Sequence, residues 1–307
     1  MAGSITQVHG IEVGHAQDRK ARTGCTVVLA PAGAVGGLAA CGAAPATREL
    51  DLLRIDGIAG RVHAVLLTGG SAFGLEAAGG VLSWLAERGI GFDAGVARVP
   101  LVPTLSLFDL AVGSAEVRPD ARMARSACRA ASAQTPRTGS VGAGAGATVG
   151  KALGMDFCSP SGVGTASANV GDAVVGALAV SNAFGDLVDS HGGIVAGARD
   201  PANPVSFIDS AARLRRGVGP DIEPFANCTF AVVATSARLD RRLAARLAEM
   251  AMAGVARAVR PAHTMFDFDA VITLSCGQAE ADVTALGCAA ADLVRESILL
   301  GAQSARD

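Results

Sequence analysis

The chain of 307 residues reads as one α/β domain, and three observations predict it. Strand-like and helix-like segments alternate from end to end, and no long charge run or proline-rich linker divides them. Half of the residues are hydrophobic, enough for one large core or two ordinary ones. The apolar volume comes mostly from alanine and valine beside 39 glycines, with one tryptophan and no tyrosine. Residues this small suit close packing between sheets and helices.

The first clear unit is a strand, a turn and a helix. Val62 to Leu67 is the strand and Thr68-Gly69-Gly70 the turn, and the helix runs from about Ser71 to Arg88, where Gly89 ends it. Leu75, Ala78, Leu82 and Leu85 fall on one helix face. The helix N-terminus could receive an anion, but a tight turn that needs glycine is the simpler account of Gly69 and Gly70.

The segment from Gly139 to Lys151 resembles a phosphate loop in its glycines and its final Gly-Lys, yet its spacing is wrong. Ala145 stands where such a loop needs glycine, and Ala152 where it needs Ser or Thr. The glycines read as a flexible or closely packed loop, an account that leaves Lys151 unexplained.

The C-terminal third carries most of the information. Thr229 to Thr235 is a strand by its β-branched and apolar content. Asp240 caps a helix that runs to about Val259, with Leu243, Leu247, Met250 or Ala251, and Val255 on its buried side and Pro261 beyond its end. A second strand spans roughly Met265 to Leu274. A strand, a long helix and a strand form a crossover, for which parallel pairing is the natural solution. Both strands then start at the same edge of the sheet. Cys228 comes close to Asp267 and Asp269, whose spacing of two puts both carboxylates on one strand face.

Charge narrows the function. Lysine and arginine number 26 against 28 acids, so no basic field exists to hold nucleic acid or an anionic membrane, and a small, weakly charged substrate is expected. Glu12, Asp18, Arg19 and Lys20 interrupt the first twenty residues, which argues against a secretory signal. Pro31, Pro45 and several glycines exclude a membrane helix from the uncharged stretch Cys25 to Thr47. A cytoplasmic protein is the expectation. The seven cysteines include no pair at zinc-clamp or redox spacing and read mostly as small core residues. His9, His15, His63 and His191 show no ligand spacing, so neither metal nor cofactor is expected. His263 reads as a solvated loop residue near the two acids.

Taken together, the stretches ITQVHGIEVGHAQD, TGCTVVLAP, APATRELDLL, LTGGSAFGLEAAGGV, GAGATVGK, SNAFGDLVD and ARAVRPAHTMFDFD resemble the L-aminopeptidase/D-esterase family. That family of self-cleaving N-terminal nucleophile hydrolases also contains β-aminopeptidases and the nylon-oligomer endohydrolase. The likeness covers nearly the whole chain. It implies a layered αββα sandwich and self-cleavage between Asn227 and Cys228, which divides the single domain 1–227 | 228–307. Cys228 stands where the family has Thr or Ser as nucleophile, and Thr229 is the reserve, at a spacing to the acids changed by one. The family's paired acids fall on Asp267 and Asp269, with Phe268 in place of the usual glycine. Lys151 matches a lysine near the site, and Asn182 the asparagine of the oxyanion hole. Phe108 lines the substrate pocket where some members have tyrosine. The resemblance further implies an amidase or aminopeptidase for small peptides, amino-acid amides or esters, or linear amide oligomers. It also implies a homo-oligomer of four or more subunits. Two alternatives are an acyltransferase of the ornithine acetyltransferase type and an unprocessed, non-catalytic relative.

Overall fold

Every second residue of the central strands faces the same neighbouring layer, and this alternation organises the molecule. The computed structural model describes residues 3–57, 60–219 and 227–305, so Met1 and Asp307, the ends of the expected domain, lie outside it. Nine strands form the main sheet: β1 (Glu12–Asp18), β2 (Thr23–Gly42), β3 (Thr47–Arg48), β4 (Val62–Thr68), β5 (Thr104–Ser106), β6 (Val163–Val170), β7 (Ala173–Asn182), β8 (Cys228–Ala237) and β9 (Phe268–Ala279). Their order is β6-β7-β8-β9-β2-β4-β5-β3, with β1 also paired to β2. The principal helices are α1 (Ala78–Ala86), α2 (Ala121–Ala130), α3 (Arg241–Ala258) and α4 (Val283–Ser304).

β2 links the two halves of this sheet. Val35 to Gly42 pair with β9, whereas Cys25 to Leu29 pair with β4, and the register slips between Leu29 and Ala34. On one face of β7, β8 and β9, Ala177, Ala231, Val233 and Val271 pack against Leu247 and Val255 of α3 and Leu293 and Ile298 of α4. Their alternating neighbours Leu178, Phe230, Val232 and Ile272 meet Val28, Val65 and Leu67 of the other half. Beyond that half, Val27, Leu29 and Leu66 meet Val81 and Leu85 of α1 and Ala124 and Ala127 of α2. The layers are helices, sheet, sheet, helices, as expected of an αββα sandwich. Phe230 is enclosed between the sheets, where truncation to alanine typically costs about 3–5 kcal/mol.

The β8-α3-β9 crossover has the expected form. β8 and β9 run parallel with Phe230 opposite Ala270, and the Asp240 carboxylate accepts the Leu243 N–H at 2.7 Å to cap α3. Leu247, Ala251 and Val255 are buried, while Leu243 and Met250 are only half-buried. β9 starts at Phe268 and not at Met265, because residues 264–267 form a turn. Thr264 donates its hydroxyl and N–H to the Asp267 carboxylate, and its carbonyl accepts the Asp267 N–H at 3.2 Å. The helix expected over Ser71 to Arg88 is also interrupted, with a short helix Ser71–Gly74 and a 3-10 turn Leu75–Ala77 before α1. The Ser106 hydroxyl takes the Ser71 carbonyl at 2.5 Å, an acceptor that a continuous α-helix would use for itself.

All seven cysteines are free; Cys25, Cys128, Cys158 and Cys228 are buried, and Cys41 and Cys288 are exposed. Among the described residues no helix is long and apolar enough to cross a membrane.

Candidate active site

The parallel pairing of β8 and β9 brings the heads of both strands to one rim. Just ahead of them Asn227 and Asp267 form an isolated parallel bridge, and the Phe268 N–H donates to the Asn227 carbonyl at 3.2 Å. One residue on, the Thr229 N–H donates to Asp269 Oδ1 at 2.6 Å. Antiparallel β7 ends at the same rim, with Asn182 opposite Cys228. Lys151 arrives on a loop that lies along the chain after β7: its N–H donates to the Phe184 carbonyl and its Nζ to the Asn182 carbonyl, both at 2.9 Å. Cys228, Lys151, Asn182, Asp267 and Asp269 are each no more than 4% exposed. The expected site residues therefore meet, although they come from four separated stretches of sequence.

Burial of so many ionisable groups perturbs them. Burial pushes the Lys151 ammonium down to about 8, against the opposing influence of Cys228, Cys158 and Asp267. Asp267 is pushed up to about 6 by burial and by the neighbouring Asp269, while Thr264, the Phe184 N–H and Lys151 favour its charged form. Burial also raises the Cys228 thiol well above its ordinary value. Lys151 and the Phe108 N–H pull it back, and Asp269 and Asp267 push it further up. Near neutral pH the rim thus holds a buried thiol beside groups that can give or take a proton.

Asn182 and Phe108 meet differently from the expectation. Asn182 Nδ2 donates to the Phe108 carbonyl at 2.9 Å, and Asn182 Oδ1 accepts the Thr148 N–H at 3.0 Å. Phe108 is half-buried, and its main chain engages both Asn182 and Cys228.

His263 lies in a loop, as expected, but it is partly buried against the acid pair and not solvated. Its ring Nδ1 lies 2.8 Å from Asp269 Oδ2, to which its N–H also donates at 3.1 Å, and its side chain is 25% exposed. The Asp269 carboxylate raises the imidazole pKa. Thr264 on Asp267 and the Phe184 N–H on Asp267 Oδ1, at 3.1 Å, complete the support of the acid pair. The stretch ARAVRPAHTMFDFD carries His263 and Thr264 together with both acids, and residue type alone singles out only the acids. Among the described residues no three His, Cys, Asp or Glu side chains gather in a way that could hold a metal ion.

Comparison with known proteins identifies the family and the fold. An aminopeptidase of Mycobacterium bovis, itself described as uncharacterized, is 41% identical over 99% of this chain and 94% of its own length. A 6-aminohexanoate-oligomer endohydrolase of Kocuria sp. is 29% identical over 96% of this chain and 84% of its own. The solved L-aminopeptidase D-Ala-esterase/amidase of Ochrobactrum anthropi, described as a variant of the N-terminal nucleophile hydrolase fold, superposes with a TM-score of 0.73. Its identity is 18%, over 98% of this chain and 86% of that one, so the likeness is one of fold. The family model for peptidase family S58 matches residues 3–307. The chain belongs to peptidase family S58 and is a hydrolase that acts on amide or peptide bonds.

Proposed function

We propose that the chain cuts itself between Asn227 and Cys228 and that Cys228, freed at the head of β8, is the nucleophile of an aminopeptidase or amidase. One observation carries the reading: a buried thiol lies next to a peptide carbonyl that accepts the Phe268 N–H, within a rim shared by Lys151, Asp267 and Asp269. The Cys228 thiol gives its proton to Asp267, a stronger base than an ordinary carboxylate. The sulfur attacks the Asn227 carbonyl carbon, and the Phe268 N–H stabilises the charge that develops on its oxygen. The peptide C–N bond breaks, the nitrogen takes up the proton, and a thioester remains. Water then displaces the sulfur, leaving an Asn227 carboxylate and a Cys228 α-amine.

In the processed enzyme that amine is the base. Its ordinary pKa is about 7.7–8.0, so near neutrality it can accept the thiol proton without a separate histidine. Asp269, already on the Thr229 N–H and on His263, orients the new terminus, and Asn182 Nδ2, which holds the Phe108 carbonyl with one N–H, gives its second to the substrate oxyanion. Small peptides, amino-acid amides and linear amide oligomers are the substrate classes, the last suggested by the oligomer endohydrolase relative.

Electrophoresis and mass analysis of the purified protein test this directly. The 30.5 kDa chain should yield pieces of about 22 and 8 kDa, in proportion to length, and the smaller should begin Cys-Thr-Phe-Ala. A parent that stays whole, or a small piece that begins at Thr229, would overturn the assignment of Cys228.

A further inference from the structure

Two glycine-bearing turns, Thr68-Gly69-Gly70 and the stretch leading to Lys151, take no part in the steps above. Neither does the carboxylate of Asp109, which is 2% exposed. The three converge on one point. Asp109 Oδ1 accepts the Gly70 N–H at 2.8 Å, and Oδ2 accepts the Thr23 hydroxyl at 2.7 Å. A Cβ added to Gly69 would stand 2.0 Å from Asp109 Oδ2, and one added to Gly146 would stand 2.8 Å from Asp109 Cβ. A side chain at Gly69 would displace the carboxylate, and one at Gly146 would press on the Asp109 side chain and, at 2.2 Å, on the Arg22 carbonyl, so one glycine from each turn keeps this space open.

What Asp109 anchors is the residue before it. Leu107 is tied to the same turn, its N–H donating to the Thr68 carbonyl at 2.8 Å and its carbonyl accepting the Ser71 N–H at 2.9 Å. The Phe108 carbonyl takes Asn182 Nδ2 at 2.9 Å. Among the described residues the Phe108 N–H has no backbone partner; Asn182, which holds the Phe108 carbonyl, stands opposite Cys228 in the pairing of β7 and β8, and the Phe108 main chain is one of the groups that lower the Cys228 thiol pKa. Such a donor, fixed on both sides, can stabilise charge without reorganising when the charge appears.

We propose that Asp109 is a positioning residue whose carboxylate, seated among Gly69, Gly70, Gly146 and Thr23, holds the Phe108 peptide so that its N–H stabilises the Cys228 thiolate. The inference rests on Cys228 being the nucleophile. It moves the role of Phe108 from the ring to the main chain.

The experiment follows alkylation of Cys228 by iodoacetamide against pH, with the modified peptide identified by mass, alongside kcat and KM on an amino-acid amide. Lys151, Asp267 and Asp269 also face the thiol and contribute to the curve, so the readout is the difference between variants. Asp109→Ala should move the alkylation midpoint up by about one pH unit and lower kcat about tenfold with KM little changed, the size expected for one lost bond to a charged group. Asp109→Asn should keep most of both, because a carboxamide oxygen can still accept the Gly70 N–H while the Thr23 hydroxyl turns to accept from its nitrogen. A folded Asp109→Ala protein with the parental curve would overturn the proposal, even with a lowered melting point, since only a structural brace would then remain. Should Asp109→Ala fail to fold, Thr23→Val removes one of the two bonds and decides by the same curve: a shift supports the proposal, and no shift overturns it. An uncut parent with hydrolysis unchanged by Cys228→Ala would overturn the underlying reading of the site as well.

Discussion

Asp186 and Asp267 are both buried carboxylates, and burial pushes each up to about 6, yet their neighbours differ. Asp186 accepts the Ala198 N–H at 2.9 Å, the Ser210 N–H at 2.8 Å and the Ser210 hydroxyl at 2.9 Å. These bonds tie a loop and the short helix Ser210–Arg215 to the short strand Asp186–Val188, and among the described residues the charged group that perturbs Asp186 is Asp209. Asp267 also braces a turn through Thr264, but it is perturbed by Asp269 and Lys151 and in turn perturbs Cys228. A displaced pKa therefore does not distinguish a brace from a working group. Convergence with a thiol and a cation is what sets Asp267 apart.

The largest expected effect separates the two directly. Asp267→Asn should slow self-cleavage by about a hundredfold or more, the usual loss when an acid–base group is removed, and Cys228→Ala should remain a single chain. Cys228→Thr should still cut, since a nucleophile is kept at the same place. Asp186→Ala should behave in the opposite way, with a loss of about 3 kcal/mol in urea unfolding because three donors lose their acceptor, while the folded fraction cuts itself at the parental rate. A gel time course beside denaturant titrations measures both. Parental cleavage by Asp267→Asn would erase the distinction.

A second test uses pH. Asp186 holds its proton more tightly in the folded chain, at about 6, than at its ordinary 3.8, so between these values the folded state binds more protons than the unfolded. Its contribution to stability is present below about pH 4 and is lost as pH rises through 6, by up to about 3 kcal/mol. Asp186→Asn should abolish that part of the slope, as the difference between parent and variant unfolding curves at pH 4 and pH 7 would report. The rate of self-cleavage should instead peak between limbs near 6 and 8, set by Asp267 and Lys151, and Asp186→Asn should not move them. A shift of either limb in that variant would mean that the two carboxylates belong to one network.

The legible part of the site was the part that local pattern controls. Period-two apolar runs, the Asp240 cap and one long helix between two strands were enough to predict parallel β8 and β9, and with them the meeting of Cys228, Asp267 and Asp269. Lys151 and Asn182 entered only through the resemblance, because their approach depends on the end of β7 and on a loop beside Phe184, and no spacing in the sequence encodes either. The bond from His263 to Asp269 arises from a turn in which His263 takes a left-handed conformation, φ 58°, which is unusual for a residue with a side chain. The αββα layering likewise needed the family, since a sequence that alternates strands and helices is compatible with several α/β arrangements. What no pattern indicated was the main-chain part played by Phe108.

That main-chain role sets the smallest expected effect. Phe108→Tyr adds one hydroxyl to a half-buried ring and leaves the peptide N–H and carbonyl, with their links to Cys228 and Asn182, in place. The unfolding free energy should change by less than about 1.5 kcal/mol, as for other near-isosteric changes, and kcat on an amino-acid amide should change by less than about tenfold. If the ring instead lines the reacting centre, as the family resemblance implies, the added hydroxyl is a donor aimed at the substrate, and kcat should rise by about a hundredfold. Steady-state kinetics on the purified, processed variant tells these apart. A rise of that size would return the function of residue 108 to its side chain, whereas near-parental rates would leave it with the peptide that Asp109 holds.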